Sequence, residues 1–407
     1  MKPRTAVLRL IVFIGGWIGL IFSFTLGDVP KLPLSSPEEA GMSSERLEFL
    51  DVVLREAVGK NGFPGAVVLV IRRGKVVFRR AYGHSCLIPE MHPMVTEGIF
   101  DMASLTKPVA TATSILILVE RGLLSLSDRL SRYFPDFKPY HSPGGEKPDD
   151  VRVWHLLTHT SGLAPFIRGN DVERASHEFF SKDLVTRHIL QMEKTAPPGK
   201  KIIYSDLGFI LLASLVEKIS GQTIEEFTRK NIFMKLGMKN TFFIPREEKW
   251  KSCVPTEHIY GRTLQGIVHD PLSRIMGGAA GHAGLFSTGD DMAVFAQMML
   301  NGGEYEGVRI LAPLTVEKMT EVYPTAAFSG RGLGWDLDSP YSHSGGDLFG
   351  SRSYGHTGYT GTSLWIDPET ETALILLTNR VHPHDAGSVV SVRSRAANIV
   401  AASIIDK

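Results

Sequence analysis

Cysteine is nearly absent: the 407-residue chain holds two, Cys86 and Cys253. A disulfide framework is thereby excluded, and sequence separation alone leaves open whether these two meet in a single bridge. No Cys-x-x-Cys, no His-Glu-x-x-His and no glycine-rich phosphate loop ending in Lys-Ser or Lys-Thr occurs, which removes the commonest redox, metal and nucleotide signatures. An excess of charge of one sign is lacking too. With 44 Lys plus Arg against 43 Asp plus Glu, and no basic run of five or more, the chain offers no field for nucleic acid. Internal repeats and low-complexity tracts are missing as well. The chemistry is therefore expected from side chains, with no metal and no cofactor. What the chain has in quantity is apolar: 43% hydrophobic against 21% charged residues, enough for a large core and, at this length, two structural units or one with an insertion.

The first residues stand apart from that core. Lys2, Arg4 and Arg9 precede an uncharged apolar run over residues 10–26, long for a signal-peptide core and near the lower limit for a spanning helix. Small residues suited to cleavage are scarce, so residues 1–27 are read as an uncleaved anchor in preference to a removed signal. Positive residues ahead of the run place the bulk of the chain outside the cytoplasm. The expected location is the periplasmic face of the inner membrane, or the periplasm or exterior if the segment is removed.

Residues 44–58 carry Leu47, Leu50, Val53, Leu54 and Val58 at helical spacing. Two β-branched runs, 65–72 and 75–82, hinge at Arg73-Gly74 and read as a hairpin. A second hairpin is expected from 363–367 and 372–379, and a closing helix from 388–405. Strands thus fall at both ends of the mature chain. The middle, 104–270, reads mainly as helices, among them 111–121, 207–219 and 224–232. The fold expected is α/β of the α+β type: an antiparallel β-sheet flanked by helices, built from 36–103 and 271–407 and split by a mostly helical insertion over 104–270.

Three stretches carry chemistry. Asp101-Met-Ala-Ser104-Leu-Thr-Lys107-Pro108 opens a helix running to Glu120, and residues three apart on a helix share a face, so Lys107 can reach the Ser104 hydroxyl as base to nucleophile. Pro108 is tolerated only early in a helix, which puts Ser104 in the first turn, where the dipole favours developing negative charge. Burial of Lys107 is expected to lower its pKa. The second stretch, Tyr204-Ser205-Asp206, lies on the loop before the helix 207–219: Tyr204 is placed to carry a proton to a leaving group, and Asp206 to cap the helix or to line the site. The third, Tyr354-Gly-His356-Thr357-Gly358-Tyr359-Thr-Gly361, precedes a strand, where its glycines admit a substrate backbone and its N–H groups can pair with that of Ser104 in an oxyanion hole.

Together, Ser104-x-x-Lys107, Tyr204-Ser205-Asp206 and His356-Thr357-Gly358, in this order, resemble the penicillin-recognising serine hydrolases: class C β-lactamases, low-molecular-mass DD-peptidases and related esterases. Residues 154–163, 278–288 and 361–368 extend the resemblance over nearly the whole chain from about residue 40. It implies an acyl-enzyme mechanism in which Ser104 attacks a carbonyl, Lys107 and Tyr204 handle the proton, the N–H groups of Ser104 and Tyr359 hold the oxyanion, and Asp206, His356, Thr357, Gly358 and Tyr359 contact substrate. It also implies no metal.

Two departures shape the expectation. The second motif of that family usually ends in Asn, whereas an ionised Asp206 only accepts hydrogen bonds and opposes a neutral Lys107. The third usually begins with Lys, whereas His356 is largely neutral at pH 7. The activity expected is therefore D-Ala-D-Ala carboxypeptidase-like or esterase-like, on cell-wall peptides or related small molecules. A β-lactamase and a non-catalytic sensor of cell-wall fragments are the alternatives. His155 and His159, four apart, lack a third zinc ligand; the resemblance implies that Thr158 to Gly162 form a turn under the site. His282 is expected as a hydrogen-bonded loop residue, and His382 and His384 as solvent-exposed.

Overall fold

The computed structural model describes residues 31–59, 62–142, 145, 150–167 and 181–406. The anchor expected over residues 1–27 lies outside them. At the centre is a six-stranded antiparallel sheet in the order Tyr354–Thr357, Ser363–Asp367, Thr372–Thr378, Gly65–Arg72, Lys75–Cys86, His92–Pro93. Strands from the two ends of the chain meet in the middle of this sheet, where Val68 lies opposite Leu376 and Leu69 opposite Ile375. The mixed fold with an antiparallel sheet and flanking helices is the one expected.

The run Ala-Val-Val-Leu-Val-Ile explains why this strand is central. All eight of its positions are buried, because both faces of the sheet are covered. Val67, Leu69 and Ile71 face the large core that also holds Leu116, Phe209 and Leu211, while Ala66, Val68 and Val70 face a smaller core with Leu50, Leu54, Ala396 and Val400. A strand wet on one side would alternate with polar residues; this one has no wet side.

The smaller core is roofed by the terminal helices. The stretch expected as one helix over 44–58 is two, Ser44–Leu47 and Phe49–Gly59, and the closing helix is shorter than expected, Val390–Ala402. On the other face the helices of the middle segment gather, including Thr113–Glu120, Lys182–Gln191 and Asp206–Ser220. That segment is less purely helical than its sequence suggests, since Phe242–Phe243 joins Leu285–Ser287 and Phe100–Asp101 in a small second sheet. This small sheet positions the chemistry: it delivers the chain from Asp101 into the turn that carries Ser104, beside the glycine-rich loop that ends at Leu285. Cys86 and Cys253 are both buried and both free. Among the described residues no single helix is long and apolar enough to cross a membrane.

Candidate active site

Ser104 sits in a tight helical turn, Ala103–Leu105, that follows directly on the strand Phe100–Asp101. Ala103 takes a left-handed backbone conformation, φ 45°, unusual for a residue with a Cβ. The side chain of Asp101 holds it there by accepting from the Ala103 N–H at 2.9 Å. The chain then widens into a π-helical turn, Lys107–Ala112, before becoming α-helical at Thr113. Pro108 supplies no N–H to this turn, and such wide turns recur at functional sites.

Lys107 is completely buried, and its Nζ is surrounded by acceptors. It lies 2.8 Å from Ser104 Oγ, 2.7 Å from Asp206 Oδ1 and 3.1 Å from the carbonyl oxygen of His282. It also sits 4.9 Å from the centre of the Tyr204 ring. The expectation that burial would lower its pKa needs correcting. Burial does act strongly in that direction, but the Asp206 carboxylate and Tyr204 outweigh it, and the pKa lies above the ordinary lysine value. At neutral pH Lys107 therefore rests as an ammonium among the oxygens of Ser104, Asp206, Tyr204 and the His282 carbonyl. Once a proton is lost, the contact with Ser104 can reverse, the hydroxyl donating to the amine lone pair.

Asp206 is free for this contact because it does not cap the helix Asp206–Ser220, which is a further correction. Ser205 is the N-cap: its hydroxyl accepts from Gly208 N–H at 3.3 Å, and Asp206 is the first helical residue. Ser and Asp cap helices about equally well, so the sequence could not decide which of two neighbours would do so. Tyr204 is set by what lies beneath it. The His159 ring stacks on the Tyr204 ring at 4.3 Å, and its Nδ1 accepts from the Ser205 N–H at 2.9 Å. The turn Thr158 to Gly162 thus braces the tyrosine loop from beneath, where it is expected.

The third motif is an edge strand in its own right, Tyr354–Thr357, and not merely the approach to one. His356 is buried on it. Its Nδ1 lies 2.9 Å from the Thr357 carbonyl, so that nitrogen carries the proton, while Nε2 is buried without a partner. Burial, then the cations Arg331 and Lys107, hold its pKa well below the ordinary histidine value. His356 is therefore neutral and supplies no positive charge for a substrate carboxylate.

The strand ends in a turn at Gly358 that abuts the Ser104 turn. A Cβ on Gly358 would lie 2.6 Å from the Met102 carbonyl oxygen, so only glycine fits. Thr360 and Thr362 fasten the two turns together, their hydroxyls donating to the carbonyls of Asp101 (2.7 Å) and Met102 (3.0 Å). Among the described residues neither the Ser104 nor the Tyr359 N–H donates to a backbone carbonyl. The Tyr359 side chain turns outward, where its hydroxyl donates to Asp385 at 2.6 Å.

Ser104, Tyr204, His356, Thr357, Gly358 and Tyr359 line one cavity of about 380 Å³, with Lys107 and Asp206 packed behind them. Three arginines share the lining, Arg331, Arg380 and Arg393, none of which the motifs single out. Arg331 is 1% exposed; its Nη1 is 3.6 Å from Asp336, its Nε and Nη2 have no partner, and the guanidinium lies 5.7 Å from the Tyr204 ring centre. It heads Arg331-Gly-Leu-Gly-Trp335, which reads in sequence as a plain turn. Among the other histidines, His282 is a hydrogen-bonded loop residue as expected, 2.8 Å from Asp270, and it contributes its carbonyl to Lys107. His384 is exposed. His382 is not: it is buried, with Nδ1 2.7 Å from the Thr256 carbonyl and Nε2 accepting from Leu87 N–H at 2.9 Å, because the turn after the strand packs inward against the 250s loop. No group of three or more His, Cys, Asp or Glu among the described residues could hold a metal ion.

Comparison with known proteins agrees with this geometry. The family profile described as Beta-lactamase matches residues 50–397. An N-acetylmuramyl-L-alanine amidase of Bacillus subtilis is 32% identical over 414 residues, covering 94% of this chain and 92% of the relative. A protein of Salmonella agona provisionally named a D-alanyl-D-alanine carboxypeptidase is 32% identical over 385 residues, covering 87% of each chain. The solved structure of EstCE1, described as a hydrolase with promiscuous acyltransferase activity, superposes with a TM-score of 0.71 at 21% identity, covering 88% of this chain and 99% of that one. The chain belongs to the beta-lactamase family and is a serine hydrolase.

The state of His356 is directly measurable. In ¹⁵N NMR spectra its ring is expected to stay in the neutral form, protonated at Nδ1, as the pH is lowered from 8 to about 6.5, where an ordinary histidine is half-charged. A half-titrated ring at that pH would show that the arginine and lysine charges do not reach it.

Proposed function

We propose that Ser104 is the nucleophile of this hydrolase and that it forms an acyl-enzyme with amides or esters of peptidoglycan-type peptides, in the manner of a D-Ala-D-Ala carboxypeptidase. The observation that carries this reading is a cavity lined by a hydroxyl and a phenol, with an amine buried 2.8 Å behind the hydroxyl. The names of the relatives, which concern N-acetylmuramyl-L-alanine and D-alanyl-D-alanine bonds, support the substrate class.

In this mechanism Lys107 reacts as the neutral amine: the hydroxyl oxygen of Ser104 attacks the carbonyl carbon as its proton passes to Lys107 Nζ, and the amine returns a proton through Tyr204. Lys107 is sealed behind Ser104, whereas Tyr204 lines the cavity, so Tyr204 is the member that can hand the proton to a departing amine or alcohol. The negative charge on the carbonyl oxygen is met by the N–H groups of Ser104 and Tyr359. Water then attacks the ester by the reverse route. A neutral His356 gives the site no cation from the third motif, so in this reading the terminal carboxylate of a D-alanyl-D-alanine peptide is met by the arginines that line the cavity. The same proposal holds the chain by residues 10–26 at a membrane, with the catalytic part outside the cytoplasm, on the strength of the basic residues that precede that run.

A fluorophosphonate probe is expected to add one mass equivalent to the wild-type protein and none to Ser104→Ala; equal labelling of both would remove Ser104 from its role. Hydrolysis of a D-Ala-D-Ala peptide and of a p-nitrophenyl ester, compared on one preparation, separates a peptidase from an esterase.

Asp206→Asn removes the carboxylate that most raises the pKa of Lys107, so a neutral lysine becomes available at lower pH. The rising limb of the kcat/KM profile is expected to move to lower pH, by about one unit for each 1.4 kcal/mol of lost interaction. An unmoved limb would mean that Asp206 does not tune the base. For the location, a fusion of residues 1–40 to alkaline phosphatase, a reporter active only after export, is expected to be active and membrane-bound; an inactive fusion would place the chain in the cytoplasm.

A further inference from the structure

The peptide unit between Gly358 and Tyr359 carries the second oxyanion donor, and its other end is held by a buried cation. Nη2 of Arg393, in the closing helix Val390–Ala402, donates to the Gly358 carbonyl at 2.9 Å and to the Thr362 carbonyl at 2.8 Å. A trans peptide is planar, with its C=O and N–H pointing in opposite directions, so whatever fixes the oxygen of Gly358 fixes the direction of the Tyr359 N–H. The same turn is closed on itself, Gly358 N–H donating to Thr362 O at 2.7 Å, and Arg380 Nε holds the next carbonyl, that of Tyr359, at 2.7 Å.

Stability does not account for Arg393. It is 7% exposed, its Nε has no partner, and no carboxylate among the described residues pairs with it. Burial foremost, and then the neighbouring Arg380 cation, disfavour its charge. A buried guanidinium without a counter-ion loses more hydration than two neutral carbonyls return, so this position weakens the fold relative to an apolar side chain of similar volume. The position does favour catalysis. A cation bound to a carbonyl polarises the whole peptide unit and strengthens the N–H on its opposite edge as a donor.

We propose that Arg393 is the positioning residue of the oxyanion hole: it sets and polarises the Gly358–Tyr359 peptide so that the Tyr359 N–H faces the carbonyl oxygen of the substrate. The proposal rests on the acyl-enzyme reading above and adds to it a residue that need not touch substrate. It also divides the labour at the turn, with glycine at 358 for close approach to Met102, the threonines for register against the Ser104 turn, and Arg393 for the orientation of a single peptide plane.

The test uses Arg393→Met and Arg393→Lys in the full-length chain, with p-nitrophenyl acetate turnover, thermal melting and fluorophosphonate labelling measured together. In Arg393→Met, kcat is expected to fall about 10- to 100-fold, less than the ~10²–10³-fold loss from deleting an oxyanion donor outright. KM should stay within about two-fold, and the melting midpoint should hold or rise. Arg393→Lys, which keeps the charge without the fork, should fall between the two, and millimolar guanidinium should restore part of the lost kcat in Arg393→Ala. Wild-type kcat in a well-folded Arg393→Met would overturn the proposal, as would a loss that tracks a lowered melting midpoint and that neither lysine nor guanidinium repairs. Labelling of the wild type at Ser104 separates the two levels: its absence removes the acyl-enzyme reading and this proposal together, whereas labelling with unchanged kcat in the variant removes this proposal alone.

Discussion

A lysine ammonium with no exposed surface is the constraint around which the site is arranged. A charge taken out of water destabilises a protein by several kcal/mol unless hydrogen bonds and an opposite charge replace the lost hydration. Lys107 meets that condition with partners drawn from three places in the chain: Ser104 one turn away, Tyr204 and Asp206 at the head of a helix about a hundred residues on, and the His282 carbonyl in a glycine-rich loop. Satisfying one buried nitrogen thus fixes the Ser104 turn, the tyrosine loop and the 278–285 loop relative to one another. The sheet contributes the fourth wall, because its edge strand ends at Gly358 against the Ser104 turn.

This dependence explains which parts of the site the sequence disclosed. Ser104 and Lys107 are three residues apart in one turn, so their contact is local and follows from helical geometry. The two hairpins were equally legible, since β-branched runs separated by Arg73-Gly74 and by residues 368–371 encode both strands and turns within a few residues. Asp206 was ambiguous for a physical reason: Ser205 and Asp206 are both good caps, and only the distant Lys107 decides which of them leaves that duty. Arg331, Arg393 and the His282 carbonyl could not be read at all. None belongs to a periodic pattern, and each acquires its meaning from a partner far away in the chain. His382 was misread because a Pro-flanked turn after a strand usually faces solvent, and nothing local signals that this one is folded under the 250s loop.

The charges lining the cavity are mainly positive, three arginines against Asp336. Arg331 and Arg393 are at least nine-tenths buried and have nitrogens with no partner, while His159 and His356 are held neutral, first by burial and then by the nearby cations. Like charges that crowd one another in the resting protein are destabilising there and become favourable only when negative charge arrives. An acyl-transfer reaction of the kind proposed would bring such charge twice, as each tetrahedral oxyanion forms, and the positive lining is complementary to that charge.

The backbone shows the same preference. Ala103 stands in a left-handed conformation immediately before the nucleophile, and non-glycine residues in sparsely populated backbone regions persist where the surroundings over-determine them, at about 1–3 kcal/mol each. The surroundings here are specific: the Asp101 side chain accepts from the Ala103 N–H, and Thr360 and Thr362 donate to the carbonyls of Asp101 and Met102, the two residues before it. Those threonines belong to the turn that carries the Tyr359 N–H. The strain that presents the Ser104 hydroxyl is thus held by the same short segment that carries the Tyr359 N–H. Ser104 and Tyr359 lie far apart in the chain, so the spacing of their N–H groups, the pair proposed to hold an oxyanion, is set by the hydrogen bonds of Thr360 and Thr362 to the Ser104 turn.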